Sequence, residues 1–76
     1  MRFNERLKEL RINSPYTQDD CAKHLGISVV TWRQYEQGVR SPKPDTLMQI
    51  ALLFNVTLDD LLCIEDFKKS LSKSSD

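Results

Sequence analysis

Thr17-Gln18-Asp19-Asp20-Cys21-Ala22-Lys23-His24-Leu25-Gly26-Ile27-Ser28-Val29-Val30-Thr31-Trp32-Arg33-Gln34-Tyr35-Glu36-Gln37-Gly38 is the stretch that decides how this chain folds. A hydroxyl residue, Thr17 or Ser28, precedes each of two short helical runs, where a side-chain oxygen can accept an unpaired backbone N–H. Thr17 and Asp20 have capping-box spacing, although aspartate is shorter than the usual glutamate. Gly26 and Gly38 stand where a left-handed residue ends a helix. The pattern predicts a corner of two helices, the first opening at Gln18 and the second running from the Ser28 cap to about Gln37. Ala22 is small where the two would cross closely. Ile27, Trp32 and Tyr35 are expected to face the core, and Val29, Val30, Arg33 and Gln34 to point outward.

On the N-terminal side of this corner, Phe3, Leu7 and Leu10 recur at helical spacing, which predicts a first helix over Phe3–Ile12. Asn13-Ser14-Pro15 stops it, because the residue before a proline is pushed out of the helical region. On the C-terminal side, Val39 to Lys43 is a short loop, and Pro44 occupies the first helical position, where proline is best tolerated. Leu47, Ile50, Ala51 and Phe54 give that fourth helix an apolar face. Thr57 repeats the hydroxyl cap and opens a fifth helix carrying Leu58, Leu61 and Leu62. Beyond Ile64 the chain becomes Lys/Ser-rich. Phe67 and Leu71 are four apart, which suggests a helical extension before residues 72–76 fray. The expectation is an all-α, five-helix domain over residues 1–64, with residues 65–76 a tail that is helical and then disordered.

A chain of 76 residues is one small domain. Two cysteines, Cys21 and Cys63, do not make a disulfide framework and fit a reducing compartment. The longest apolar run, Ile50 to Phe54, is far short of the roughly 20 residues of a membrane span. No signal peptide is evident, so a cytoplasmic location is expected. Net charge is zero, yet the charge is unevenly placed. Residues 1–43 hold eight Lys/Arg against five Asp/Glu, and residues 44–76 hold three against six. The half that contains the bihelical corner is net positive, as a nucleic-acid reader requires, and the other half has to face away.

A corner whose second helix exposes side chains on one face is the physical form of a helix-turn-helix DNA reader. The detail goes further. Arg6-Leu7-Lys8-Glu9-Leu10-Arg11, Thr17-Gln18, Ala22, Leu25-Gly26-Ile27-Ser28, Thr31, Tyr35-Glu36-Gln37-Gly38, Pro42, Leu47, Ile50-Ala51, Val56 and Leu58-Asp59-Asp60-Leu61-Leu62 resemble the Cro/cI-type (XRE) helix-turn-helix family. The resemblance covers residues 3 to 62 in one ungapped register. It implies a lambda-repressor-like fold and a transcriptional regulator, a repressor in the leading reading, that binds a pseudo-palindromic operator on double-stranded DNA as a homodimer. With no second domain expected, regulation would rest on concentration, dimerisation or a partner protein. Departures from the family pattern are Pro15 for glycine, Cys21 in a leucine core slot, Lys43 in place of a hydroxyl or acidic cap, and Leu52 and Leu53 where a charged residue and an alanine are common.

The candidate base readers are Val29, Val30, Arg33 and Gln34. Valine can rest on a thymine methyl, arginine has the fork for a guanine edge, and glutamine can pair with adenine. Thr17, Gln18, Thr31, Gln37, Arg40 and Lys43 are the candidate phosphate contacts. The family holds the residue at Gln18 against the sugar-phosphate backbone, and the start of a helix favours an anion. Leu52, Leu53, Ile64 and Phe67 are the candidate dimer surface. Trp32 and Tyr35 read as core rather than a stacking platform. Glu36 reads as a structural partner of Arg6 or Arg11 rather than an acid catalyst. Cys21 and His24 are too few for a zinc site, so neither a metal nor a cofactor is expected. No catalytic constellation is evident. The alternative is an antitoxin-like protein-interaction module with secondary DNA binding.

Overall fold

The computed structural model describes residues 2–62, and the helices preceded by Thr17, Ser28 and Thr57 start where those hydroxyls place them. The elements are α1 (Phe3–Ile12), α2 (Gln18–Leu25), α3 (Val29–Gln37), α4 (Pro44–Phe54) and α5 (Leu58–Leu61). No strand occurs among the described residues. Cys63, Ile64, Phe67 and the expected tail lie outside them.

Local chemistry sets the ends. Thr17 Oγ1 accepts from the Asp20 N–H at 3.1 Å while Asp20 Oδ2 accepts from the Thr17 N–H at 3.0 Å, completing the capping box. Ser28 Oγ accepts from the Thr31 N–H and Thr57 Oγ1 from the Asp60 N–H, both at 3.1 Å. Gly26 (φ 69°) and Gly38 (φ 79°) are left-handed, and the next residues, Ile27 and Val39, donate back to the carbonyls of Ala22 and Gln34. Asn55 (φ 54°) ends α4 in the same way, a stop with no glycine to mark it in the sequence.

The core is built from one residue set per helix: Leu7 of α1, Cys21 and Ala22 of α2, Trp32 and Tyr35 of α3, Ile50 and Ala51 of α4, and Leu61 of α5. Helix α3 packs on α2 and α1, α4 bridges α2 and α5, and α5 returns to α1. Phe54 lies between the Trp32 ring and the Tyr16 ring, with both centroids at 6.4 Å. It thereby fastens α3 and the α1–α2 turn to α4. Arg6 ties α1 to α5 through Asp60 at 2.7 Å.

The outward placement expected of Val29, Gln34 and Leu53 is corrected, Gln34 being half-buried. Val29 is half-buried and packs on the core, and so does Leu53. Each lies three residues from a fully buried neighbour, Val29 from Trp32 and Leu53 from Ile50, so helical geometry brings it to the edge of the same inward face.

Candidate nucleic-acid interface

Glu36, near the end of α3, is 8% exposed, and four hydrogen bonds satisfy its carboxylate. Arg11 clasps it in a bidentate manner, Nε to Oε2 at 2.6 Å and Nη2 to Oε1 at 3.2 Å. The Trp32 indole Nε1 donates to Oε2 at 2.6 Å, and Gln18 Nε2 donates to Oε1 at 3.1 Å. Burial alone would push the Glu36 pKa up. The hydrogen bonds from Arg11, Gln18 and Trp32, together with the Arg11 charge, outweigh it and hold the pKa below the ordinary value. Of the two arginines expected as partners, Arg11 is the one that pairs; Arg6 pairs with Glu9 and Asp60 instead. This cluster locks the end of α1, the start of α2 and the inner side of α3 together.

Outside that lock runs an open groove of about 570 Å³, lined by Lys8, Arg11, Tyr16, Thr17, Gln18, Arg33, Glu36 and Gln37. The N-terminus of α2 opens toward it, with the positive end of the helix dipole adding to Lys8 and Arg33. Gln18 is half-buried and continues the network outward, its Oε1 accepting from Arg33 Nε at 3.2 Å.

Among the expected base readers, Val30 is 56% exposed and Arg33 is also exposed. Gln34 is half-buried, and its Oε1 accepts from Arg40 Nη1 at 3.5 Å. Val29 sits at the rim. Among the expected phosphate contacts, Thr17, Gln18 and Gln37 share the groove. Thr31 is half-buried with its hydroxyl 3.0 Å from that of Ser28. Arg40 and Lys43 are exposed on the loop after α3, and the Lys43 side chain makes no cap bond to α4. Leu52 is 80% exposed on α4, far from the groove residues in sequence. Lys8 and Tyr16 line the groove without a motif that marks them in the sequence; the one signal for Lys8 is its place three residues before Arg11, on the same helical face.

Other chemistry has little to build on. Cys21 is wholly buried, and burial pushes its thiol up to about 11, whereas His24 is exposed. Among the described residues no three His, Cys, Asp or Glu side chains gather as a metal site. No described helix is long and apolar enough to cross a membrane.

Comparison with known proteins agrees with this geometry. The helix-turn-helix domain family matches residues 4–66. The chain is similar to the HTH-type transcriptional regulator ImmR of Bacillus subtilis (strain 168), 38% identical over 69 residues that make up 91% of this chain and 54% of that protein. It is also similar to the HTH-type transcriptional activator BcrR of Enterococcus faecalis, 36% identical over 87% of this chain and 32% of that protein. The solution structure of the SOS-response transcriptional repressor LexA from Eubacterium rectale superposes with a TM-score of 0.75 at 30% identity, covering 79% of this chain and 64% of that one. The chain thus spans about half or less of the length of these two curated relatives.

Proposed function

The chain belongs to the helix-turn-helix domain family, and from that premise we propose that it is a sequence-specific regulator of transcription that binds double-stranded DNA in the cytoplasm. The observation that carries this reading is the exposure of Val30 and Arg33 on α3 beside a basic groove at the α2 N-terminus. Helix α3 lies in the major groove, which is wide enough for it. Arg33 takes a guanine edge, Gln34 an adenine and Val30 a thymine methyl, with Val29 a marginal contact from the rim. Gln18, Thr17, Gln37, Arg40 and Lys43 grip phosphates on either side and set the register, and Thr31 is a minor contact.

Two copies related by a two-fold axis present two such helices about 34–36 Å apart, one turn of duplex. Leu52 and Met48, 80% and 55% exposed one helical turn apart on α4, favour that face as the contact between copies. Leu53 supports it from the side that packs on the core. The regulator acts as a repressor, because occupying an operator blocks a promoter with no further surface required. Selection from a pool of random duplexes tests this reading. It should yield a pseudo-palindrome with half-sites one turn apart; a pool that shows no enrichment would refute sequence-specific binding. The same exposed α4 face favours a second reading, capture of a partner protein. A complex of one copy with a partner protein, from a chain that enriches no duplex from the pool, would establish it in place of the first.

A further inference from the structure

The Gln18 side-chain amide stands between two groups of opposite charge. Its Nε2 donates to Glu36 Oε1 at 3.1 Å, and its Oε1 accepts from Arg33 Nε at 3.2 Å. The direction of that amide is not free. A carboxylate only accepts and a guanidinium only donates. Turning the amide over would set its oxygen against Glu36 and its NH2 against Arg33, exchanging two attractive contacts for two repulsive ones. Glu36 does not turn to follow, because Arg11 and Trp32 hold it and it is 8% exposed. The buried carboxylate therefore dictates which atom of Gln18 meets Arg33.

For Arg33, a long exposed side chain, the consequence is lost freedom. Anchoring Nε to Gln18 leaves both Nη groups available, and these form the end of the fork that reaches O6 and N7 of a guanine. We infer that Gln18, oriented by Glu36, is a positioning residue for Arg33 and sharpens the discrimination of one base pair. This inference rests on the DNA-reading role of α3 and adds to Gln18 a task apart from gripping phosphate. The two tasks are compatible, since Nε2 carries two hydrogens and donates one of them to Glu36.

Gln18→Met keeps the length of the side chain and removes both bonds, while leaving Arg11, Trp32 and Glu36 joined. The wild type, Gln18→Met, Arg33→Ala and the double variant are checked for fold by circular dichroism. Each is then titrated with a duplex selected by the wild type, with that duplex altered one G·C pair at a time, and with a random-sequence duplex. Arg33→Ala should abolish preference at one pair. Gln18→Met should weaken binding to every duplex by the uniform loss of its phosphate contact, read on the random duplex, and should in addition lower discrimination at that same pair about tenfold. The double variant should discriminate no less and no more than Arg33→Ala, differing from it only by the uniform loss of the phosphate contact. Equal loss on every duplex would make Gln18 a phosphate contact alone and overturn the inference, as would losses of discrimination that add in the double variant. Uniform weakening by Arg33→Ala also overturns it while leaving DNA binding intact, whereas failure to select any duplex removes the reading beneath it. In the free protein, exchange of the Arg33 Nε–H measured by NMR should be slower than that of Arg40 and should lose this protection in Gln18→Met; equal rates in the wild type count against the inference independently of DNA.

Discussion

Glu36 is the side chain on which stability and the DNA-facing surface both depend. Its removal in Glu36→Ala leaves the Arg11 guanidinium half-buried without its counter-charge and the Trp32 indole N–H without its acceptor. Breaking a buried pair in this way costs about 3–5 kcal/mol, a large part of what a domain of this size possesses. The pH dependence has a definite sign. The folded carboxyl lies below its ordinary value of 4.5, so the group contributes its full stability above that pH and loses it as the pH falls through the folded value. Thermal melts of the wild type should therefore drop in midpoint as the pH is lowered from about 5. In Glu36→Gln the curve should start lower and slope less. Some slope should remain, because Asp20 is shifted in the same direction by its bonds to Thr17. A variant that melts like the wild type at neutral pH would contradict this account of the cluster.

The turns that end α2 and α3 look alike in backbone and differ in surroundings. Gly26 and Gly38 both have positive φ, which costs a residue with a Cβ about 1–2 kcal/mol. A Cβ at Gly26 meets nothing within 4 Å, whereas one at Gly38 comes within 3.1–3.3 Å of the Asn4 side chain. Asn4 also donates from Nδ2 to the Glu36 carbonyl at 3.4 Å, so it moves only by giving up that bond. Gly38→Ala should thus lower the melting temperature more than Gly26→Ala, and equal losses would show that Asn4 yields freely. Both glycines were legible in the sequence for the same reason as the caps Thr17, Ser28 and Thr57, since each acts within a few residues of itself. Asn55 makes a comparable stop but is a weaker signal, because asparagine is also common in ordinary loops. Val29 and Leu53 were misplaced because inward and rim positions differ by a small rotation that only the neighbouring helices resolve. The bond from Gln18 to Arg33 was illegible because it joins two helices through side chains that are polar, exposed or half-buried, and without any apolar pattern.

Charge is distributed along the chain so that a neutral protein can still meet an anion. Residues 1–43 carry net +3 and residues 44–76 net −3, and in the proposed complex the first set turns toward the phosphates. The exposed Leu52 belongs to the acidic half and so, as proposed, to the contact between copies. Sedimentation should find dimers of the wild type and monomers of Leu52→Glu, the latter still melting as a folded domain because the side chain contributes little to the core, at a midpoint that no longer depends on protein concentration. Salt then separates the two surfaces. Each phosphate neutralised adds about 0.9 to the slope of log K against log salt concentration. Arg40→Ala should flatten that slope by about one per half-site and weaken binding to selected and random duplexes alike. Leu52→Glu should instead raise the protein concentration needed for binding without changing the phosphate contacts of each half-site. If Arg40→Ala left the slope untouched, the loop after α3 would not be on the DNA, and the register proposed for α3 in the major groove would have to be rebuilt around the α2 N-terminus alone.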